Sequence, residues 1–186
     1  MTVVGAILAA GSSSRLGRPK QLVVIDGEPL LRRTARLALA SPCSTIAVVV
    51  GAHAAEVTLA VGDLALAILD NPAWTEGVAS SIRAAAAWAE AQGAAGLLLM
   101  VCDQPRLSTE HLAALLAEHA RTSAIVGSGY SGTVGVPAVF PASSFAALGA
   151  LRGDRGARAL LGGAASIGWD DGAIDVDFEA DVSVLR

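Results

Sequence analysis

Three groups of residues in this sequence have types and spacings that suit phosphate and metal chemistry. The first is Leu8-Ala9-Ala10-Gly11-Ser12-Ser13-Ser14-Arg15-Leu16-Gly17-Arg18-Pro19-Lys20. Small residues let backbone N–H groups approach phosphate oxygens, three serines add hydroxyl donors, and Arg15 and Lys20 bring positive charge to the same loop. Lys20 is the only lysine in the chain, against twelve arginines. Retaining one ammonium where every other fixed positive side chain is a guanidinium points to a need for a compact point charge, such as a polyphosphate poses. The loop is not a Walker A motif, since no Gly-Lys-Ser/Thr follows the spacer, and it lacks G-x-G-x-x-G. The second group, Cys102-Asp103-Gln104-Pro105, ends the most apolar run of the chain, residues 97–101. A carboxylate at the carboxyl end of a buried strand is well placed to ligate magnesium; a helix-capping aspartate in the turn is the plainer alternative. Cys102 reads as a small buried hydrophobe rather than a nucleophile. The third group, Asp175-Val176-Asp177-Phe178-Glu179-Ala180-Asp181-Val182, is either a second source of carboxylates or a solvated acidic tail.

These groups stand among short apolar runs that alternate with longer amphipathic stretches. Strands are expected at Val3–Leu8, 45–50, 66–69 and 97–101, with further candidates at 124–126, 136–140 and 167–169. Helices are expected at 30–40, 54–61, 78–92, 142–151 and 157–161, and one more is capped by Ser108 or Thr109, with Leu112, Leu115 and Leu116 at helical spacing. The β-α alternation argues for an α/β three-layer sandwich with a mostly parallel sheet, expected to form a single domain over residues 1–186. Ligands of such sheets sit beyond the carboxyl ends of strands, near a switch in strand order, which is where the first two groups fall. Gly77 and Ser80-Ser81 open the helix at 78–92, whose first N–H groups are expected to be free for an anion or a base.

The chain has 186 residues, 53% of them hydrophobic and only 4% aromatic, so its core is built from Ala, Val and Leu, as suits helices stacked on a parallel sheet. A net charge of −4 leaves no basic footprint for nucleic acid. Cys43 and Cys102 lie far apart with no metal-type spacing, and no apolar run reaches the roughly 18 residues of a membrane span. A cytoplasmic protein with no membrane partner is expected.

Six segments, taken in order, resemble those of the nucleotidyltransferases related to the molybdenum cofactor enzymes. Leu8 through Lys20 fits L-A-A-G-x-S-x-R-x-G-x-x-K without a gap, and similar loops occur in sugar-phosphate nucleotidyltransferases. Asn71-Pro72-Ala73-Trp74-Thr75-Glu76-Gly77-Val78-Ala79-Ser80-Ser81 resembles N-x-x-W-x-x-G-M-x-x-S, with Val78 for methionine. Asp103-Gln104-Pro105 resembles Asp-x-Pro, Gly135-Val136-Pro137 with Phe140 resembles G-x-P-x-x-F, and Gly153-Asp154-Arg155-Gly156-Ala157-Arg158 resembles G-D-x-G-A-R. The acidic run resembles D-I-D-T-P-E-D-L, with Phe178-Glu179 for Thr-Pro.

The resemblance implies a Rossmann-like nucleotidyltransferase (nucleotide-diphospho-sugar transferase) fold. It implies nucleotide contacts from Leu8, Ala9, Ala10, Gly11, Ser13, Arg15, Lys20, Asn71, Gly77, Ser80 and Ser81. Asp103 would hold magnesium (Mg2+), completed by Asp177 or, second, Asp175; Arg15, Lys20 and Asp103 would carry catalysis. Gln104, Gly135, Pro137, Asp154, Arg155 and Arg158 would face a molybdopterin-type acceptor. Gln104 and the Ala9-Ala10 pair resemble the cytidylyltransferase branch, which implies CTP as donor; the guanine branch usually carries glycine at the second alanine, leaving more room for a purine. A molybdoenzyme or its accessory proteins would receive the product. The rivals are a GTP-using or sugar-phosphate nucleotidyltransferase, a non-catalytic cofactor-binding accessory, and an NAD(P)-dependent oxidoreductase, the last disfavoured by the missing G-x-G-x-x-G. If the lone lysine is needed as a point charge, Lys20→Arg should lower the rate of pyrophosphate release by roughly tenfold or more, and full activity in that variant would remove the argument.

Overall fold

The computed structural model describes residues 2–184. Its elements, in chain order, are β1 (Val3–Leu8), a small hairpin of β2 (Val24–Ile25) and β3 (Glu28–Pro29), α1 (Leu30–Leu39), β4 (Ile46–Val50), α2 (Ala54–Leu59), β5 (Ala67–Asp70) and α3 (Val78–Ala91). They continue with β6 (Gly96–Val101), α4 (Thr109–Thr122), β7 (Val126–Tyr130), β8 (Thr133–Pro141), α5 (Phe145–Gly149), β9 (Ala165–Gly168) and α6 (Glu179–Val184). Seven strands form one sheet in the order β5-β4-β1-β6-β8-β7-β9. All neighbours are parallel except β8, which runs antiparallel to both β6 and β7.

Helices cover both faces, as the apolar runs of β4 and β6 require. Along β6 the side chains alternate: Leu98 and Met100 join one core with α1, α2 and α4, while Leu97 and Leu99 join the other with α3 and α5. Ala79, Ala85, Ala86 and Ala89 let α3 lie close against the sheet. From β1 the chain adds β4 and β5 on one side, then returns to place β6 on the other. The carboxyl ends of β1 and β6 therefore flank the switch in strand order, where the connections diverge and leave a crevice.

Three expectations need correction. The strand candidates at 124–126 and 136–140 give way to a longer β7-β8 hairpin that begins only at Val126 and takes in all of 136–140, and it interrupts the β-α alternation. Its glycines hid it: a Cβ at Gly135 would fall 2.1 Å from the Tyr130 hydroxyl, so the Tyr130 ring packs where a larger residue would displace it, despite the poor strand propensity of glycine. The stretch 142–151 holds a 3-10 turn and only a five-residue helix, and 157–161 is a single 3-10 turn at Ala157–Leu160.

Ser108 caps α4, its hydroxyl accepting from the His111 amide. The His111 ring stacks on Trp169 with centroids 4.6 Å apart, and its Nε2 lies 2.7 Å from Ser128 Oγ, whose proton goes to Pro137 O. Nε2 must then be the donor. Burial pulls this imidazole down from 6.5 to about 4. The folded state thus keeps His111 neutral while the unfolded chain takes up a proton below 6.5, so stability present above that pH is lost as pH falls toward 4. Between pH 7.5 and pH 5, urea unfolding of the wild type should lose about 2 kcal/mol more than that of His111→Gln. Equal losses in the two proteins would show that His111 does not carry the acid sensitivity.

Candidate active site at the switch in strand order

The loop after β1 is held in shape by a residue outside the expected set. Gln21 is buried, and its Nε2 donates to Ala9 O at 2.8 Å and Gly11 O at 2.9 Å. Its Oε1 accepts from Ser13 Oγ, which in turn accepts from the Lys20 amide. Ser13 takes a left-handed conformation, φ 55°, and its carbonyl accepts from the Leu16 and Gly17 amides. The loop therefore folds back so that Lys20, at its far end, returns beneath its start.

There the ammonium meets two carboxylates. Lys20 Nζ donates to Asp103 Oδ2 at 2.8 Å and to Asp177 Oδ1 at 2.7 Å, and Arg15 Nη1 donates to Asp177 Oδ2 at 3.2 Å. Asp103 sits just beyond β6, as expected. Asp177 arrives from the end of the chain because the Val176 amide donates to Asp103 O at 2.9 Å, and because Val176 and Val182 pack with Val23, Ile25 and Leu30 in a third apolar cluster. Asp181 fixes the turn, its Oδ2 accepting from the amides of Asp177 and Phe178. Burial opposes the charge on Lys20, but Asp103 and Asp177 outweigh it and hold the ammonium above its usual range. Lys20 holds the Asp177 carboxyl below its own. Asp175 is exposed overall, but the protein desolvates one side of its carboxyl, and this together with the charges of Asp177 and Asp103 raises its pKa. Among the described residues no three acidic, histidine or cysteine side chains form a metal cage, so Asp175 does not complete a three-carboxylate set.

Two adjoining cavities open over this centre. One, of about 370 Å³, is lined by Leu8, Ala10, Gly11, Ser13, Lys20, Trp74, Gly77, Ser81, Asp103 and Asp154. The other holds Gly11, Ser13, Arg15, Lys20, Asp154 and Asp177. Three expected nucleotide residues stand behind the wall. Ala9 is buried, and Asn71, also buried, donates through Nδ2 to Ser80 Oγ at 2.9 Å and to Ser81 Oγ at 3.0 Å. Of this triad only Ser81 lines the cavity described above. The first amides of α3 are not all free, either: Ala79 N donates to Gly153 O and Ser80 N to Gly77 O. The loop at 153–154 is seated on Gly77, whose φ of 119° and 2.4 Å clearance from Asp154 Oδ1 leave no place for a Cβ. Glu76 secures the same loop, accepting from Gly153 N and from Arg83.

The expected acceptor residues divide. Gln104 is buried, donates to Val136 O and Gly172 O, and lines a cavity of about 340 Å³ with Asp103, Tyr130 and Asp175. Gly135 and Pro137 are buried in β8, where Pro137 O accepts from Ser128. Arg158 lines a separate cavity of about 570 Å³ beside the β7-β8 hairpin and donates to Thr133 Oγ1, while Asp154 borders the cavity of about 370 Å³ and Arg155 is exposed. Cys102 is buried, and burial pushes its thiol up to about 12, which disqualifies it as a nucleophile.

Residues 5–167 match the MobA-like NTP transferase domain. The chain belongs to that family. Among its relatives, nicotine blue oxidoreductase of Paenarthrobacter nicotinovorans is 33% identical over 86% of this chain and 81% of its own. Molybdenum cofactor guanylyltransferase of Rhodobacter capsulatus is 34% identical over 66% of this chain and 63% of its own. The manganese complex of Rv0371c from Mycobacterium tuberculosis superposes with a TM-score of 0.80 at 26% identity, covering 100% of this chain and 98% of that one. The chain is a nucleotidyltransferase of the MobA-like type, with the nucleotide-diphospho-sugar transferase fold. No helix among the described residues is long and apolar enough to cross a membrane.

No sequence signal marked Gln21, because its work is to pair backbone carbonyls that only the folded loop brings together. Gln21→Leu should cost about 2 kcal/mol in urea unfolding by leaving the buried Ala9 carbonyl unpaired, and should weaken nucleotide affinity in calorimetric titration. Unchanged affinity would mean that the loop holds its shape without the clamp.

Proposed function

We propose that this protein transfers CMP from CTP to the terminal phosphate of a molybdopterin-type molybdenum cofactor and releases pyrophosphate. The observation that carries the reading is the convergence of Lys20, Asp103 and Asp177 on one point under the glycine-serine loop. The ammonium there acts as a stand-in cation: two carboxylate oxygens, one from the end of the central strand and one from the segment before the last helix, already address a single positive centre. Magnesium fits such a donor set, because it takes one or two carboxylates and completes its shell with water and substrate phosphates. When bound, it would supply charge stabilisation at the reacting phosphate.

The chain's own residues then have distinct tasks. Leu8, Ala10, Gly11, Gly77 and Ser81 receive the nucleotide, with Ala9, Asn71 and Ser80 shaping the wall from behind. Ser13, Arg15 and Lys20 face the phosphates. The acceptor's phosphate oxygen attacks the α-phosphorus as the bond to the pyrophosphate oxygen breaks. A phosphate monoester is mostly dianionic at pH 7, so this attack needs no strong general base, and catalysis rests on positioning and charge. Gln104 and Asp175, bordering the cavity on the other side of Asp103, would meet the acceptor. Arg158 and Arg155, with Gly135 and Pro137 as scaffold, would bound its far end, and a molybdoenzyme or its accessory proteins would take the product.

CTP is favoured over GTP by Ala10, which lines the cavity where a glycine would leave more room for a purine. The guanylyltransferase relative supports the alternative donor. The oxidoreductase relative adds no role for the Lys20 centre, which hydride transfer does not use. Thermal unfolding with Mg2+ should show a larger Tm rise with CTP than with GTP, ATP or UTP, and pyrophosphate should form only when molybdopterin is added. Asp103→Ala should reduce pyrophosphate release by about 10²–10³-fold while far-UV circular dichroism is unchanged. A variant that keeps its turnover would refute the metal role, and a larger shift with GTP would reassign the donor.

A further inference from the structure

Lys20 was expected to face a polyphosphate, yet both of its resolved side-chain bonds go to the carboxylates instead. The distances, 2.8 Å to Asp103 Oδ2 and 2.7 Å to Asp177 Oδ1, are those of full charge-assisted hydrogen bonds. The three side chains are partly buried, with 20%, 22% and 30% of their surface exposed. Water therefore screens the pairing only in part. Asp177 spends both oxygens on cations, Oδ1 on Lys20 and Oδ2 on Arg15. Of the four carboxylate oxygens of Asp103 and Asp177, three thus already accept from cationic side chains, two of them from the ammonium.

We infer that Lys20 has two stations and competes with the divalent cation for Asp103 and Asp177. With the nucleotide site empty, its ammonium rests on the two carboxylates and weakens cation binding. A triphosphate offers the ammonium an alternative anion, since Lys20 also borders both cavities over the loop. The ammonium then moves to the phosphates, and the carboxylates become available to the cation that arrives with them. Metal and nucleotide binding are coupled through one side chain, and neither requires a change in the backbone. A lysine suits this because its four-carbon stem is flexible and its three donors can be redirected, whereas a guanidinium fork is fixed in one plane. The same exchange guards the resting site: Asp103 and Asp177, drawn to one point, would repel each other there, and the ammonium between them offsets that repulsion.

The inference rests on the metal role proposed above for Asp103 and Asp177, and the two are tested apart by titrating Mn2+ alone, with no nucleotide, into wild type, Lys20→Met, Asp103→Asn and Asp177→Asn, free Mn2+ being read by electron paramagnetic resonance. Lys20→Met should bind Mn2+ at least tenfold more tightly than the wild type, and both asparagine variants more weakly. In the presence of the α,β-methylene analogue of CTP the order should reverse, with Lys20→Met binding the metal-nucleotide pair less tightly than the wild type. Because removing the ammonium leaves Asp103 without its cation and Asp177 with Arg15 alone, the Tm of Lys20→Met should also rise more on adding Mn2+ than that of the wild type; Lys20→Gln gives the same comparison should the methionine variant fold poorly. Mn2+ affinity in Lys20→Met and Lys20→Gln no greater than wild type, with the asparagine variants still weakened, would overturn the exchange and leave the metal site standing. Asparagine variants that bind Mn2+ as the wild type does would overturn the metal site itself.

Discussion

The ion pairs of Lys20 with Asp103 and Asp177 are the constraint around which this molecule is arranged. They join three places far apart in sequence: the loop after the first strand, the end of the central strand, and the segment before the last helix. A partly buried ammonium between two carboxylates is not a strong source of net stability, because desolvation offsets much of the attraction. Its placement has to be secured by other means. The Val176 amide bound to Asp103 O and the apolar cluster of Val23, Ile25, Leu30, Val176 and Val182 do so. The small β2-β3 hairpin thus acquires a purpose that its size conceals, since it is the surface on which the acidic segment packs.

The sheet supplies the rest of the positioning. Because β1 and β6 are neighbours whose connections leave toward opposite edges, the loops at their carboxyl ends diverge and leave a crevice without any excavation of the core. One wall of that crevice is the start of α3, closed by the loop at 153–154 through Gly77, Ala79 and Glu76. The amides that an isolated helix would offer to an anion are partly consumed by this closure. In the proposed function, phosphate recognition falls instead to the glycine-serine loop, with its cations and hydroxyls. The same frame is compatible with relatives of different printed activities, because the sheet fixes where a ligand sits while the side chains at its rim decide what is done to it.

The sequence made the central features legible where chemistry and burial coincide. Val3–Leu8 and Gly96–Val101 are apolar throughout and are followed within three residues by Gly11 and Asp103, so the strands and the candidate site loops beyond them could be read together. Lys20 could be singled out by composition alone. The β7-β8 hairpin could not, because Gly127, Gly129 and Gly135 are there to admit neighbouring side chains, a reason that exists only in three dimensions. Gln21, Glu76 and Asp181 were missed for a related reason: each satisfies backbone groups of a loop, and ordinary polar residues carry no spacing that announces such partners. Asn71 and Ser80, which the resemblance offers as nucleotide contacts, bond each other and Gly77 O behind the cavity wall. A motif names residues that a family retains, and retention for shape looks the same in sequence as retention for contact.

The use of arginine elsewhere in the chain sharpens the argument about its one lysine. Arg32 puts two nitrogens on the two oxygens of Asp63, Arg36 does the same to Glu28, and Arg121 to Glu118. In each pair a planar fork is satisfied by a single carboxylate, a geometry that is directional and hard to divide. At the site the requirement is the opposite. One cation must be shared between two carboxylates that come from different segments, and it must be able to leave both. Tetrahedral N–H groups on a flexible stem can meet two acceptors at 2.7–2.8 Å without matching the plane of either. They can also exchange those acceptors for phosphate oxygens one bond at a time. The distinction between a cation that fastens and a cation that transfers its allegiance is therefore written in residue type, and this chain draws it at Lys20.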